Sequence, residues 1–125
     1  MQSRIFPALL VAVATAVSGL AHAAQPYDQK TFQAAQTANK PILIEVTAPW
    51  CPTCRQQKPV VHQIEQEKPD LVVLDVDFDS AKAVLKQLKV QHQSTLIVYR
   101  GGAELARSTG ETDPAAIRSM IGRAY

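Results

Sequence analysis

The sequence predicts one small α/β sandwich in which helices cover both faces of a mixed sheet. Its 125 residues have room for a single domain. Helix and strand patterns follow the order α-β-α-β-α-β-β-α, which predicts two parallel strands joined by helices plus a C-terminal antiparallel hairpin. A hydrophobic fraction of 46% and a charged fraction of 19% fit an ordinary globular chain. The net charge of +2 is too small to indicate a nucleic-acid surface.

The first half of the domain predicts a helix, a buried strand and a second helix. Residues 27–40 are rich in Ala and Gln and read as a helix that ends before Pro41. Residues 42–47, ILIEVT, are an apolar run broken by one carboxylate, which is typical of a strand buried on both faces. The next helix begins at the cysteines and runs to about Glu67, and Pro59 inside it predicts a kink.

The second half predicts a strand, a helix, a hairpin and a final helix. Residues 71–78, LVVLDVDF, read as another buried strand, and residues 80–90 space their apolar side chains as a helix does. A Gly-Gly turn between residues 94–100 and 103–109 indicates a β-hairpin. The Asp-Pro pair at residues 113–114 predicts the N-cap and first position of the last helix.

The N-terminus predicts a cleaved signal peptide over residues 1–23. An early arginine precedes a mostly apolar run over residues 5–20, and Ala21 and Ala23 then stand at the small-residue positions of a cleavage site. A membrane anchor is the alternative, but this run is shorter than the about 20 residues that a span needs. We therefore expect cleavage after Ala23, with residues 24–125 forming the mature domain.

The two cysteines of the chain, Cys51 and Cys54, allow three interpretations. A structural disulfide between residues three apart closes a very small loop, and on the chain-entropy estimate it stabilises by only about 2 kcal/mol. A structural zinc site needs four ligands, whereas the predicted mature domain adds only His62 and His92 to the cysteines. A soft-metal site of two ligands, or one shared across a dimer, stays open. The third interpretation is a redox-active pair.

Several features of the sequence directly favour a redox-active pair. Cys51 follows a strand and lies where the next helix begins, so unpaired backbone N–H groups and the helix dipole stabilise its thiolate. Cys54, one helical turn later, is placed to attack the mixed disulfide that this thiolate forms. Pro52 occupies the first helical position, where a missing N–H costs little.

These residues resemble the thioredoxin superfamily over nearly the whole predicted mature domain. The resemblance is carried by WCPTC at residues 50–54, the strand ILIEVTAPW before it, Pro59, VDFD at residues 76–79, the glycine turn at 101–102 and Gly110. It implies a thioredoxin-like sandwich, with Cys51 as the nucleophile and Cys54 as the resolving thiol. It also implies that Trp50 covers the site and that Trp50 and Pro52 contact substrates.

Acidic side chains near the two buried strands receive different interpretations. Glu45 lies six residues before Cys51, where thioredoxins keep a buried acid that handles the proton of the resolving cysteine. A carboxyl within an apolar strand is desolvated, so we expect its pKa to rise and Glu45 to act as a general base. Asp75, Asp77 and Asp79 instead read as a solvated strand end and a helix cap.

The segment QHQSTLIVY at residues 91–99 departs from the family pattern. Thioredoxins have a cis-proline just before the threonine of this strand, and here the position is Ser94. Since a cis bond before a non-proline residue costs about 2.5–4 kcal/mol, we expect a trans Gln93–Ser94 peptide. In the family this loop clamps substrates, which implies contacts from Gln93, Ser94 and Thr95. We also expect Ser94 and His92 to lie close to Cys51.

The sequence thus predicts a periplasmic thiol–disulfide oxidoreductase, acting as a monomer on protein thiols or disulfides. A membrane redox partner is expected to supply or accept electrons, and no organic cofactor, metal or nucleic acid is implied. The Pro-Thr dipeptide, where reducing thioredoxins have Gly-Pro, indicates a less reducing protein than thioredoxin. The alternative is a protein that binds copper or zinc through Cys51 and Cys54, with help from His92. An inactive interaction module is a third possibility, which the intact cysteine pair and Glu45 disfavour.

Overall fold

A five-stranded mixed sheet organises the chain in the computed structural model, which describes Ala14 and residues 24–125. Apart from Ala14, the signal peptide predicted over residues 1–23 lies outside the described residues. No helix of the described part combines the length and apolar character that a membrane span requires. The elements are, in chain order, β1 (Gln25–Pro26), α1 (Gln29–Thr37), β2 (Pro41–Thr47), α2 (Pro52–Glu67), β3 (Val72–Asp77), α3 (Lys82–Leu88), β4 (Thr95–Arg100), β5 (Ala103–Thr109) and α4 (Pro114–Gly122).

The sheet has the strand order β1-β3-β2-β4-β5. Strands β1 and β2 pair with β3 in parallel, whereas β4 pairs antiparallel with both β2 and β5. This arrangement confirms the predicted fold class and the C-terminal hairpin. Strand β1 was not predicted, because two residues have no periodicity to detect. It adds a parallel strand at the edge of the sheet, where Gln25 pairs with Leu74 and Pro26 with Asp75.

Alternating side chains of β2 point to opposite faces of the sheet. Ile42, Ile44 and Val46 belong to the core that α1 and α3 cover, and Leu43 belongs to the core that α2 and α4 cover. The alternation places Glu45 on the same face as Leu43, beneath α2. The buried strand predicted over residues 42–47 therefore brings its one carboxyl to the face that carries the cysteine helix.

Capping side chains fix the starts of two helices. The Asp28 carboxylate accepts a hydrogen bond from the Thr31 N–H at 3.0 Å and caps α1. The Asp113 carboxylate accepts one from Ala116 at the same distance and caps α4, with a proline at the first position. The prediction for the last helix is therefore confirmed. Pro59 lies inside α2, as expected.

Candidate active site

The two cysteines lie at the beginning of α2 and form a disulfide with each other. Cys51 is the N-cap of this 16-residue helix and has an extended backbone, and Pro52 occupies the first turn. The Cys51 Sγ accepts a hydrogen bond from the Cys54 backbone N–H at 3.1 Å. One of the N–H groups that a helix leaves without an internal partner therefore points at this sulfur. The position predicted from the sequence is confirmed, and it favours negative charge on Cys51.

The disulfide is covered by neighbouring side chains. Cys51 is 1% exposed and Cys54 is 2% exposed, and Ala48 and Phe78 pack against them. Trp50 is 52% exposed and contacts Phe78 edge-to-face, with 6.4 Å between ring centroids. Both cysteines are therefore almost fully shielded from solvent.

Trp50 is held in place by a side chain from the turn that follows β3. Its indole Nε1–H donates to both carboxylate oxygens of Asp79, at 2.9 and 3.1 Å. Asp77 accepts from the Asp79 N–H and the Ser80 hydroxyl, which stabilises the turn that presents Asp79. Asp79 is exposed, as the interpretation of a solvated strand end expected, and its carboxylate also binds the tryptophan beside the cysteines, a contact that was not predicted.

Glu45 is buried next to a second carboxyl group. It is 5% exposed and pairs with Asp75 across β2 and β3. Burial, then the hydrogen bond to Asp75 and the charge of Asp75, raise the pKa of Glu45 to about 9. Lys58 of α2 opposes this rise, and its Nζ lies 3.7 Å from Asp75 Oδ2. The expected increase in the Glu45 pKa is confirmed, and Glu45 holds a proton at neutral pH.

Asp75 lies between Glu45, which holds the proton, and the cavity that Cys54 lines. Its Oδ1 is buried and, within the described part of the chain, has no other hydrogen-bond donor, so a protonated Glu45 is the group that can supply one. A cavity of about 400 Å³ is lined by Cys54, Lys58 and Asp75 among others. The Asp75 side chain is 28% exposed, so the interpretation of it as solvated holds only in part, since its Oδ1 is buried beside Glu45.

The loop before β4 is fixed by internal hydrogen bonds. The Gln93–Ser94 peptide is trans, as predicted, since residues 24–125 contain no cis peptide bond, and Ser94 has a φ of 58°. The Ser94 N–H donates to Val46 O at 2.8 Å, and its carbonyl accepts from the Gly110 N–H at 3.0 Å. The Thr95 hydroxyl donates to His92 O at 2.8 Å. Of the three residues predicted to contact substrates here, Gln93 is partly exposed and the other two are buried.

Gln57 ties this loop to α2 and was not predicted. Its buried amide Nε2 donates to Ser94 O at 3.0 Å and to Glu111 O at 2.9 Å. Gln57 lies on the inner face of α2, one turn beyond Cys54, and the helical period was the only sequence signal that could have marked it. It fixes the loop relative to the helix that carries the cysteines.

We expect Gln57→Leu to destabilise the domain. The substitution leaves the Glu111 carbonyl and part of the Ser94 carbonyl without a donor, and the free energy of unfolding should fall by about 1–3 kcal/mol. Urea unfolding followed by circular dichroism measures this change. Gln56→Leu, at an exposed neighbouring position, should change it by less than about 0.5 kcal/mol. Equal effects of the two substitutions would contradict the bridging role.

The residues considered for a metal site are not brought together as a cluster. Across Ala14 and residues 24–125, no group of three or more His, Cys, Asp or Glu side chains is arranged to hold a metal ion. His92 is exposed and lines a surface depression with Gln91 and Arg107, and His62 is exposed on α2.

Comparisons with known proteins identify similar chains. The sequence profile described as Thioredoxin matches residues 23–123. A thioredoxin from Chlamydia trachomatis is 32% identical over 99 residues, which cover 79% of this chain and 96% of that protein. An H-type thioredoxin from Fagopyrum esculentum is 33% identical over 89 residues, covering 71% and 76%. The crystal structure of Trxlp from Edwardsiella tarda EIB202 has a TM-score of 0.76 at 40% identity, covering 79% and 98%.

Proposed function

Because this chain belongs to the thioredoxin family, we propose that it exchanges disulfides with other proteins in the periplasm through Cys51 and Cys54. It is a thioredoxin-like thiol–disulfide oxidoreductase with a CxxC pair. The observation that carries the proposal is the Cys51–Cys54 disulfide at the beginning of α2, where the Cys54 N–H donates to the Cys51 sulfur. Cys51 is the proposed nucleophile, Cys54 the resolving thiol and Glu45 the acid–base group.

Substrate oxidation starts from the disulfide form. A substrate thiolate attacks Cys51 Sγ, so that a bond forms between these two sulfurs and the Cys51–Cys54 bond breaks. Cys54 leaves with the electron pair as a thiolate and takes the proton that Glu45 holds, by way of Asp75 and the cavity that Asp75 shares with Cys54. A second substrate thiolate then attacks the substrate sulfur of the mixed disulfide and releases Cys51 as a thiolate. The substrate is oxidised by two electrons, and the two enzyme sulfurs are reduced.

Substrate reduction follows the same steps in reverse. The Cys51 thiolate attacks a substrate disulfide and releases one substrate thiolate. Cys54 gives its proton to the small fraction of Glu45 that is ionised at neutral pH. The Cys54 thiolate then attacks Cys51 Sγ of the mixed disulfide and releases the second substrate thiolate. The proposed substrate surface surrounds Cys51 and comprises Trp50, Pro52, Gln93, Ser94 and Thr95. Trp50 and Pro52 are exposed, whereas the loop residues act through the shape that their internal hydrogen bonds give the chain.

Export is proposed from the sequence of residues 1–23, which combines an early arginine, a short apolar run and an Ala-x-Ala site. Disulfides persist in the periplasm, where the pair can alternate between its two states. We further propose that the protein acts as a monomer and that a membrane protein exchanges electrons with it. The less reducing character expected from the Pro-Thr dipeptide is part of this proposal.

Insulin reduction tests the proposed activity. We expect the purified protein to catalyse the reduction of insulin by dithiothreitol, and we expect Cys51→Ser to show no catalysis above the buffer rate. Titration of the reduced protein with Cu(I) and Zn(II) tests the alternative function. Tight stoichiometric metal binding without insulin turnover would contradict the enzyme and favour a soft-metal protein.

A further inference from the structure

We propose that the α-ammonium group of Ala24, created when the signal peptide is removed, binds the buried carboxylate of Glu65 in a pocket beside α2. This inference rests on the export proposed above, and it assigns a site to the new N-terminus. The site lies on the same face of the sheet as Glu45, so that processing of the chain adds a positive charge next to the proposed active-site acid.

The pocket is a cavity of about 610 Å³ at the side of α2. Its lining residues are Ala24, Glu45, Arg55, Lys58, Pro59, His62 and Glu65. Two of them are buried carboxyl groups, because Glu45 is 5% exposed and Glu65 is 7% exposed. The cavity therefore contains acidic groups from both β2 and α2, and its basic groups all belong to α2.

Glu65 lacks a partner for one of its oxygens. Its Oε2 is buried and accepts no hydrogen bond from any residue in the described ranges. Burial raises the pKa of Glu65, and the charge of His62 and a hydrogen bond from the Ala24 backbone N–H are among the interactions that oppose this rise. Leaving a buried carboxylate oxygen unpaired is costly. The Oε2 atom of Glu65 therefore lacks a hydrogen-bond donor, and Ala24 lies beside Glu65 in the pocket.

Cleavage after Ala23 supplies such a donor. A peptide nitrogen at Ala24 offers one N–H and no charge, whereas a free α-amino group at neutral pH offers three N–H donors and a positive charge. Hydrogen bonds between an ammonium group and a carboxylate are shorter and stronger than those between neutral groups. The N–H that already reaches Glu65 then belongs to an ammonium group, which has further protons for Oε2.

Strand β1 holds Ala24 at the pocket. Gln25 and Pro26 pair with β3, and the Tyr27 N–H donates to Asp75 O at 2.7 Å. Since pairing begins one residue after Ala24, the new terminus has little freedom to leave the pocket. The unpredicted strand β1 thus has a role, because it brings the N-terminus of the mature protein to Glu65.

The pKa of the Ala24 α-amino group tests the inference. The full-length chain is expressed in a Gram-negative host, and the intact mass of the periplasmic protein is measured first. Amine labelling across a pH series, read at the N-terminal peptide, then gives the α-amino pKa. We expect a value about one unit above the ordinary range of about 7.7–8.0, because the neighbouring carboxylate stabilises the charged form. Glu65→Gln should return it to that range.

Glu67→Gln is the matched control. It removes the same charge from the same helix, but Glu67 is exposed and pairs with Arg118, so the raised α-amino pKa should remain. An ordinary α-amino pKa in the wild type would contradict the proposed binding of the Ala24 ammonium group by Glu65. The same α-amino pKa in Glu65→Gln as in the wild type would also contradict it. A mature protein that does not begin at Ala24 would also overturn it.

Insulin reduction by the same samples separates this inference from the proposed enzyme. An ordinary α-amino pKa with normal insulin turnover contradicts the proposed binding of the Ala24 ammonium group by Glu65, and the proposed oxidoreductase activity stands. A raised α-amino pKa without insulin turnover supports the pocket and contradicts the oxidoreductase.

Discussion

Replacing Cys54 with serine is expected to convert the protein into a covalent trap for its substrates. Cys51 would still attack a substrate disulfide, but no second thiol would lie one turn along α2 to resolve the mixed disulfide. Insulin turnover should fall by about three orders of magnitude or more. Extracts of a Gram-negative host that expresses the variant are quenched with acid, alkylated and separated without reductant. They should show mixed-disulfide adducts of the variant that disappear when dithiothreitol is added.

Cys51→Ser is the matched control, since it removes the other sulfur of the same pair. It should lose turnover to the same degree and form no adducts, because Cys51 is the N-cap whose sulfur accepts a helix N–H, whereas Cys54 lies inside the first turn of α2 and has no such stabilisation of its thiolate. Adducts with Cys51→Ser at the level of Cys54→Ser would show that Cys54 is the attacking thiol. That result would reverse the two assigned roles.

Replacing Glu45 with glutamine should raise the free energy of unfolding above that of the wild type by an amount that grows as the pH rises. The pKa of Glu45 is about 9 in the folded protein and about 4.3 in an unfolded chain. The stability that Glu45 contributes is therefore fully present below about pH 4.3 and is lost as the pH rises toward 9. The relative gain of Glu45→Gln should be on the order of 2–4 kcal/mol larger at pH 8 than at pH 4.5.

Urea unfolding of the oxidised protein at the two pH values measures this difference. Glu67→Gln is a suitable control, because Glu67 lies on the surface beside Arg118, and it should not show a gain that increases with pH. The loss of the acid should also slow the opening of the Cys51–Cys54 disulfide, by about 10²-fold or more. A pH-independent difference between Glu45→Gln and the wild type would contradict a Glu45 that is protonated at neutral pH.

Local patterns were enough to predict most of the fold. β2 and α2 were predicted to within about one residue, because an apolar run and a helix-starting proline are both local signals. β1 was missed, since it consists of two residues and forms only by pairing with β3. Its position depends on contacts about 50 residues away in sequence, which no pattern within residues 24–27 records.

The candidate site was predicted only in part, because several of its contacts also join residues that are distant in sequence. A carboxylate within an apolar strand predicts a buried Glu45, but its contact with Asp75 depends on the register between β2 and β3. The pairing of Trp50 with Asp79 joins residues 29 apart, and that of Gln57 with Ser94 joins residues 37 apart. Such contacts follow from the packing of α2 on the sheet, and each involves polar residues that also occur on surfaces.

The ionisation of Cys51 is the property on which the proposed chemistry depends most directly. Alkylation of reduced Cys54→Ser protein with iodoacetamide across a pH series measures it, because Cys51 is then the sole thiol. Since Cys51 caps α2 and accepts the Cys54 N–H, we expect half-maximal alkylation at least about one pH unit below the value of about 8.5 for free cysteine. Half-maximal alkylation at or above about pH 8.5 would contradict an activated Cys51 nucleophile.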